Sequence, residues 1–181
     1  MRWIFPQGGL DQIREFAGQI NLGMPAAQVL WNRGHRDPQA ARAFLEGSLD
    51  GLLDPWLLKD MDKAAERLLA AVRGSEPILL YGDYDVDGTS SVVVLKKAIE
   101  LAGGRAQFHV PHRLRDGYGM RSEVVEEAAS RGIKLIVSVD TGIRAAEVVE
   151  HARSIGIDVI ITDHHLPEAE LPNALAVLNP N

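Results

Sequence analysis

The sequence ILLYGDYDVDG at residues 78–88 runs from a short aliphatic stretch directly into three alternating aspartates and a glycine. The aliphatic stretch has no polar face, which is typical of a strand buried on both sides in a parallel sheet. Further candidate strands follow at residues 106–110, 135–139, 159–162 and 174–178. The chain therefore predicts a sheet of short strands that begins near residue 78.

Helical segments separate most of these strands, at residues 89–101, 122–131 and 145–155. This alternation predicts an α/β fold with an open, mostly parallel sheet flanked by helices and joined by right-handed crossovers. Before residue 75 the pattern changes to short helices and turns, where Asp37 before Pro38 marks one helix start. We predict two domains, a small helical N-terminal segment at 1–75 and an α/β domain at 76–181.

The composition excludes several classes of protein. The 181 residues are 46% hydrophobic and 24% charged, so a disordered, collagen-like or coiled-coil chain is excluded. The longest aliphatic run, at residues 92–95, is far shorter than a membrane span, and we expect no signal peptide and no membrane association. The absence of cysteine excludes disulfides and agrees with a cytoplasmic location. The formal net charge of −6 argues at first against nucleic-acid binding.

Acidic residues and histidines follow three of the predicted strands at the point where each strand ends. They are Asp83, Asp85, Asp87, Asp140, Asp163, His164 and His165. Ligands of open α/β sheets bind beyond the carboxyl ends of the strands, and crowded carboxylates raise one another's pKa unless a cation neutralises them. We therefore predict a divalent-cation site, preferably for two ions. Oxygen-rich ligands with a single imidazole favour Mn²⁺ or Mg²⁺ over Zn²⁺.

Asp163 has an alternative role. A single aspartate at a strand end is more often a turn former or helix cap than a ligand. Its carboxylate could equally orient the loop or a neighbouring imidazole, and the sequence leaves these roles open.

The first acidic motif is shared in part by two unrelated families. An EF-hand calcium loop also begins with alternating aspartates, but it follows a helix and needs a glutamate at its twelfth position, where this chain has Val94. The EF-hand is therefore excluded. The segment DVDGT at residues 85–89 resembles the nucleophile motif of haloacid-dehalogenase-type phosphatases, in which the first aspartate forms a phosphoenzyme. That family's downstream lysine and acidic pair have no convincing match, so this phosphatase remains an alternative enzyme.

Taken together, three motifs resemble those of the DHH phosphoesterases. They are GDYDVDG at residues 82–88, VDTGI at 139–143 and TDHH at 162–165. Shorter similarities extend over essentially the whole chain, among them NRG at 32–34, VPHR at 110–113, DGYG at 116–119 and LNPN at 178–181. More narrowly, the chain is similar to members of this family that act as bacterial single-strand-specific 5′ exonucleases.

The resemblance implies a role for each motif residue. The implied metal ligands are Asp83, Asp85, Asp87, Asp140 and His164. Asp140 is expected to bridge two ions, whereas the ion that Asp83 serves stays open. His165 matches a position that contacts substrate phosphate, and the residues implied to be catalytic are His165, Asp87 and Asp140.

The resemblance also implies an activity and partners. The expected reaction is two-ion, 5′-to-3′ hydrolysis of single-stranded DNA to 5′-mononucleotides, in DNA repair and recombination. A single-strand-binding protein and a helicase are the candidate protein partners. Family members carry a further aspartate ligand in a fourth motif, which does not occur before Asn181. We therefore expect this chain to be an N-terminal part of the catalytic core and to be inactive by itself.

A basic segment reverses the overall negative charge locally. Residues 109–121 contain two histidines, three arginines and Tyr118. Arginines contact the phosphates of a single strand and aromatic rings stack on its bases. On charge alone the segment would be a solvated loop, but the family resemblance favours substrate-binding roles for Arg113 and Tyr118. Arg144, close to Asp140, could contact phosphate or lie on the surface.

Two further functions stay open at this point. A DHH-type phosphodiesterase could act on short oligonucleotides or cyclic dinucleotides instead of long strands. Alternatively, the chain could be a non-catalytic binding module that retained the fold. The many convergent carboxylates argue against the module, because a purely structural domain has no need of them.

Overall fold

The computed structural model describes residues 9–181, and the chain divides into two compact units after residue 54. The first unit contains helices α1 (Leu10–Ile20), α2 (Met24–Asn32) and α3 (Pro38–Glu46). Their apolar faces share one core, in which the rings of Phe16 and Trp31 meet edge to face at 5.5 Å. The expected start of α3 is confirmed, because Oδ1 of Asp37 accepts the backbone N–H of Ala40 at 2.7 Å.

The second unit is a five-stranded parallel sheet with helices on both faces. In chain order its elements are α4 (Met61–Arg73), β1 (Pro77–Gly82), α5 (Val86–Leu101), β2 (Arg105–His109), α6 (Ser122–Ser130), β3 (Leu135–Val139), α7 (Ala146–Ser154), β4 (Asp158–Thr162) and β5 (Ala176–Leu178). The strand order is β2-β1-β3-β4-β5, and every neighbouring pair is parallel. The predicted fold class is confirmed.

Alternate residues of the central strands point into two separate cores. On one face, Leu79 and Tyr81 of β1 pack with apolar residues of α6 and α7. On the other face, Ile78 and Leu80 pack with residues of α4 and α5. Both faces of β1 are therefore covered by helices, as the lack of a polar face in its sequence predicted.

Helix α4 belongs to the unit that contains the sheet. Its Ala64 and Ala71 are buried in the same core as Ile78. Arg67 of α4 makes ion pairs with Asp158 at 2.6 Å and with Glu76 at 2.8 Å, next to the starts of β4 and β1. The second compact unit therefore begins at residue 55. The sequence places the boundary later, near residue 75, where the pattern of short helices changes to alternating strands and helices.

Helix α5 begins three residues earlier than the sequence indicates. The expected start was Thr89, but the helix begins at Val86, because Oδ1 of Asp85 accepts the N–H of Gly88 at 3.0 Å and so caps it. Among residues 9–181, no helix combines the length and apolar character that crossing a membrane requires.

Candidate metal centre

Two overlapping clusters of ligand atoms lie beyond the carboxyl ends of β1, β3 and β4. One consists of Asp83, Asp85 and Asp140, and the other of Asp140, His164 and His165. Within each cluster the ligand atoms lie within 4.8 Å of one another. Asp140 is common to both, which is the position that a residue bridging two cations would occupy.

The first acidic loop is held by a close approach between backbones. Oδ1 of Asp83 accepts the backbone N–H of Tyr84 at 2.7 Å, and the start of α5 lies against the backbone of Asp83. A Cβ atom on Gly88 would come within 2.5 Å of the Asp83 carbonyl oxygen, so only glycine allows this approach. The contact places Asp83 and Asp85 on the same side of the loop as Asp140.

Asp140 adopts an uncommon backbone conformation for a residue with a side chain. Its φ is 60°, and its N–H donates to the carbonyl of Thr162 at 2.9 Å. The turn continues through Gly142, whose φ is 109° and where a Cβ atom would lie 2.6 Å from Oγ of Ser138. These constraints aim the Asp140 carboxylate at the acidic loop instead of along the strand.

One oxygen of the buried Asp140 carboxylate lacks a regular hydrogen bond. Its Oδ1 lies 3.1 Å from Nε2 of His164, yet this buried oxygen accepts no hydrogen bond of ordinary geometry. Burial raises the pKa of Asp140, and the nearby charge of Asp85 raises it further. A buried oxygen with no partner, surrounded by further carboxylates and an imidazole, fits the ligand preferences of Mn²⁺ and Mg²⁺.

Asp163 orients its neighbours. Its Oδ1 accepts from the backbone N–H groups of His164 at 2.7 Å and His165 at 3.1 Å and lies 2.7 Å from Nδ1 of His165. Its Oδ2 accepts the N–H of Ile143 at 3.0 Å. Burial favours the neutral acid, but the hydrogen bonds from His165 and Ile143 outweigh it and lower the pKa of Asp163. Of the roles that the sequence left open, the structure shows orientation of both the loop and an imidazole.

Asp87 is a member of neither cluster of ligand atoms. It is an exposed residue in the first turn of α5, and within the described residues it belongs to neither group of converging ligand atoms. Its predicted roles as ligand and catalytic residue stay predictions.

His165 is held between Asp163 and Tyr118. The ion pair with Asp163 raises the pKa of His165, whereas partial burial and the charge of Arg144 oppose protonation. The phenol oxygen of Tyr118 lies 3.5 Å from Nδ1 of His165. An imidazole in this position can present a proton or a positive charge to a phosphate oxygen.

A row of aromatic and basic side chains leads away from this imidazole. The rings of Tyr118 and His165 meet edge to face at 6.0 Å, and those of Tyr84 and Tyr118 at 6.4 Å. The Arg113 guanidinium lies over the Tyr84 ring, 4.5 Å from its centroid. The structure thus brings Arg113, Tyr118 and His165 into one surface, and their roles in substrate binding stay predictions. Sequence reasoning missed Tyr84, although an aromatic residue inside an acidic loop was a visible signal.

The loop that carries Arg113 and Tyr118 is closed by Asp116. Its carboxylate accepts the N–H of His112 at 2.7 Å and lies 3.5 Å from a guanidinium nitrogen of Arg121. Tyr81, buried in the sheet, donates to the carbonyl of Gly119 at 3.2 Å. Arg121 therefore helps to hold the loop in place. The basic segment consequently has fewer arginines available to bind single-stranded nucleic acid than its composition indicates.

The fold and the site together define an open parallel α/β protein with a carboxylate–histidine centre beyond its strand ends. The model of the DHH family, N-terminal domain, matches residues 77–181. The chain belongs to the DHH family. This confirms the family resemblance and decides against the haloacid-dehalogenase-type phosphatase.

Comparison with known proteins also confirms the narrower resemblance. The single-stranded-DNA-specific exonuclease RecJ of Bacillus subtilis (strain 168) is 36% identical over 180 residues, covering 99% of this chain and 23% of that protein. RecJ of Escherichia coli (strain K12) is 46% identical over 152 residues, covering 83% of this chain and 26% of that protein. The chain therefore spans about a quarter of the length of these relatives.

Similar solved structures contain Mn²⁺ or Mg²⁺. A crystal structure of RecJ in complex with Mn²⁺ from Thermus thermophilus matches at a TM-score of 0.68 and 29% identity, over 97% of this chain and 24% of that one. This likeness extends the similarity to the three-dimensional fold.

Proposed function

We propose that this chain forms part of the catalytic core of a metal-dependent exonuclease that degrades single-stranded DNA from the 5′ end to 5′-mononucleotides. The observation that carries the proposal is the position of Asp140, which belongs to both clusters of ligand atoms. The similarity to RecJ exonucleases over most of the chain supports the same activity.

The metal would be Mn²⁺ or Mg²⁺, preferably as two ions. Asp83, Asp85, Asp140 and His164 would hold it, and Asp87 remains a predicted ligand. When bound, such cations lower the pKa of water and stabilise the charge that develops on a phosphodiester. Asp163 keeps the loop of His164 and His165 in place through its four hydrogen-bonding contacts.

The substrate side of the proposal rests on the aromatic and basic row. His165 and Arg113 would contact phosphate oxygens, and Tyr118 would stack on a base. The net charge of −6 does not oppose this proposal, because five of the acidic residues lie in the three strand-end motifs, where cations would neutralise ligand charges. A role in DNA repair and recombination, contacts with a single-strand-binding protein and a helicase, and a cytoplasmic location belong to the same proposal.

The experiment that tests the activity uses the full-length gene product with Asp140→Ala. Degradation of a 5′-labelled single-stranded oligonucleotide is measured in Mn²⁺ and in Mg²⁺. Loss of a ligand shared by both clusters should remove several kcal/mol of transition-state stabilisation, which is a rate loss of about a thousand-fold. The control is Asp62→Ala, at an exposed aspartate in the first turn of α4. Near-normal activity of Asp140→Ala would contradict the metal assignment.

A length series of substrates separates the exonuclease from its nearest alternative. The wild-type protein is given single strands of decreasing length, down to dinucleotides and cyclic dinucleotides. The proposal expects efficient degradation of long strands. A preference for dinucleotides would instead support a phosphodiesterase for small substrates.

A further inference from the structure

A cavity of about 640 Å³ opens beside the candidate metal centre. His165 and Asp163 line it on the side of the metal centre, and Thr141, Arg144 and the first residues of α7 line it elsewhere. Its volume lies within the usual range for small-ligand sites.

Arg144 supplies the cavity with a positive charge. Its Nε donates to the carbonyl of Leu166 at 3.0 Å, which ties the exposed side chain to the loop that follows His165. A guanidinium held through one nitrogen keeps its two terminal nitrogens as donors. Because Arg144 and His165 both line the cavity, these donors and the imidazole can contact one bound ligand.

The start of α7 supplies backbone donors. The first N–H groups of any α-helix have no partner within the helix, and the positive end of the helix dipole favours an anion there. At α7 the N-cap residue is Ala145, which has no side-chain oxygen, and no side chain caps the helix. Residues 145–148 line the cavity, so these donors lie at its wall.

Thr141 adds a second observation, independent of the helix end. The residue is 2% exposed, lines the cavity, and has a buried hydroxyl without a hydrogen-bond partner of ordinary geometry. The phenol of Tyr118 is close enough for a weak contact with this hydroxyl, which opposes the increase that burial produces in the pKa of the phenol. A buried hydroxyl whose nearest polar neighbour is poorly placed is uncommon in proteins, and a ligand oxygen would supply the regular hydrogen bond that Tyr118 does not.

Two glutamates also line the cavity, and their charges distinguish between possible ligands. Glu147 and Glu168 are both exposed. Their charges oppose a bound anion, but they would accept hydrogen bonds from the amino groups of a base or from a sugar hydroxyl. Neutralising a glutamate should therefore tighten binding if the cavity holds a phosphate. It should weaken binding if the cavity holds a base or a sugar.

We propose that this cavity is a second phosphate subsite, in which Arg144, the Thr141 hydroxyl and the first N–H groups of α7 bind the phosphate next to the one at the metal centre. The inference rests on the proposed function and adds a specific contact to it. A phosphate suits this wall because guanidinium and helix N-terminal donors both recognise its oxygens.

The test measures binding separately from catalysis. The full-length gene product is titrated into a fluorescent oligothymidylate in the presence of a chelator, over salt concentrations from about 50 to about 200 mM. Arg144→Gln should weaken binding about five-fold to ten-fold and reduce the slope of log affinity against log salt by about 0.7, the value for one lost phosphate contact on a single strand. Arg153→Gln is the matched control, since Arg153 lies in the last turn of the same helix.

Further variants and controls decide the outcome. Glu168→Gln should tighten binding, and Thr141→Val should weaken it without changing the salt slope. Equal affinities and slopes for Arg144→Gln and Arg153→Gln would overturn the subsite, as would an absence of strand binding by the wild-type protein. Weaker binding by Glu168→Gln together with an unchanged slope for Arg144→Gln would show that the cavity holds a base or sugar. If the wild-type protein binds the strand as expected but does not degrade it, only the proposed activity fails.

Discussion

Asp163 accepts hydrogen bonds from three residues of the site, and its contact to a side chain is the 2.7 Å separation between its Oδ1 and Nδ1 of His165. The same carboxylate accepts the N–H of Ile143, in the loop after β3, at 3.0 Å. It therefore connects the loop of the two histidines to the loop of Asp140. Of the roles that the sequence left open for Asp163, orientation of the loop and of an imidazole is the one that the structure shows, and the residue links two ligand-bearing loops.

Asp163→Asn should damage both stability and activity. The amide turns one acceptor into a donor, so at least one of the groups that donate to Asp163 loses its partner. We expect the free energy of unfolding to fall by about 1–3 kcal/mol and kcat to fall about 10–100-fold, mainly through misplaced histidines. Urea unfolding and steady-state kinetics of the full-length gene product measure the two effects. Asp62→Asn, at an exposed position, should change neither, and an unchanged kcat in Asp163→Asn would rule out the orienting role.

Tyr118→Ala should weaken binding of single-stranded DNA. The ring lies edge to face with both Tyr84 and His165, in the row that ends at Arg113. Stacking of one base on an aromatic ring contributes about 1–3 kcal/mol, so the dissociation constant should rise by about five-fold to a hundred-fold. Tyr118→Phe retains the ring and should bind almost as the wild type does. Fluorescence anisotropy in a chelator compares them, and equal losses in both variants would show that the hydroxyl, not the ring, makes the contact.

Gly88→Ala should destabilise the protein, although alanine is the better helix former. A Cβ atom there would lie 2.5 Å from the Asp83 carbonyl oxygen, so α5 must move away from the acidic loop. We expect a loss of about 1–3 kcal/mol in the free energy of unfolding. Gly18→Ala is the matched control, since nothing lies within 4 Å of a Cβ atom at this position of α1. That variant should gain about 0.5–1 kcal/mol, and a similar gain in Gly88→Ala would refute the close approach.

His109 should make stability depend on pH. Burial lowers the pKa of His109, and its Nε2 has no hydrogen-bond partner. Because the folded state takes up this proton less readily than the unfolded state, the contribution of His109 is present above pH about 6.5 and is lost as the pH falls below it. His109→Phe should therefore lose less stability than the wild type between pH 7 and pH 5. Urea unfolding at both pH values tests this, and identical losses in the two proteins would exclude His109 as a cause.

Much of the second unit could be predicted from local patterns. The aliphatic runs marked β1, β3 and β4 because a strand covered on both faces has no polar face. The acids after these strands indicated the site, because parallel strands end at the same edge of the sheet. The sequence places the start of α5 three residues late, because the motif indicates Asp85 as a ligand and does not show that its carboxylate also caps the helix.

Other features depend on contacts between distant segments. Helix α4 has an ordinary amphipathic sequence, and only Arg67, with its ion pairs to Glu76 and Asp158, and the shared core show that it belongs to the sheet. Similarly, the sequence shows only that Arg121 belongs to a basic segment, and it is the fold that places this arginine beside Asp116.

The sequence by itself therefore determined the strands, their order of appearance and the residue types at their ends, because these follow from hydrophobic periodicity and turn chemistry within a few residues. The tertiary structure decided where those residues lie: Asp140 at the overlap of two clusters, Asp163 between two loops that its hydrogen bonds connect, and Asp87 in neither cluster. Side-chain direction at a strand end depends on the backbone turn and on the neighbouring loop, as the φ of 60° at Asp140 shows. The spacing of residues in a motif encodes neither the conformation of this turn nor the position of the neighbouring loop.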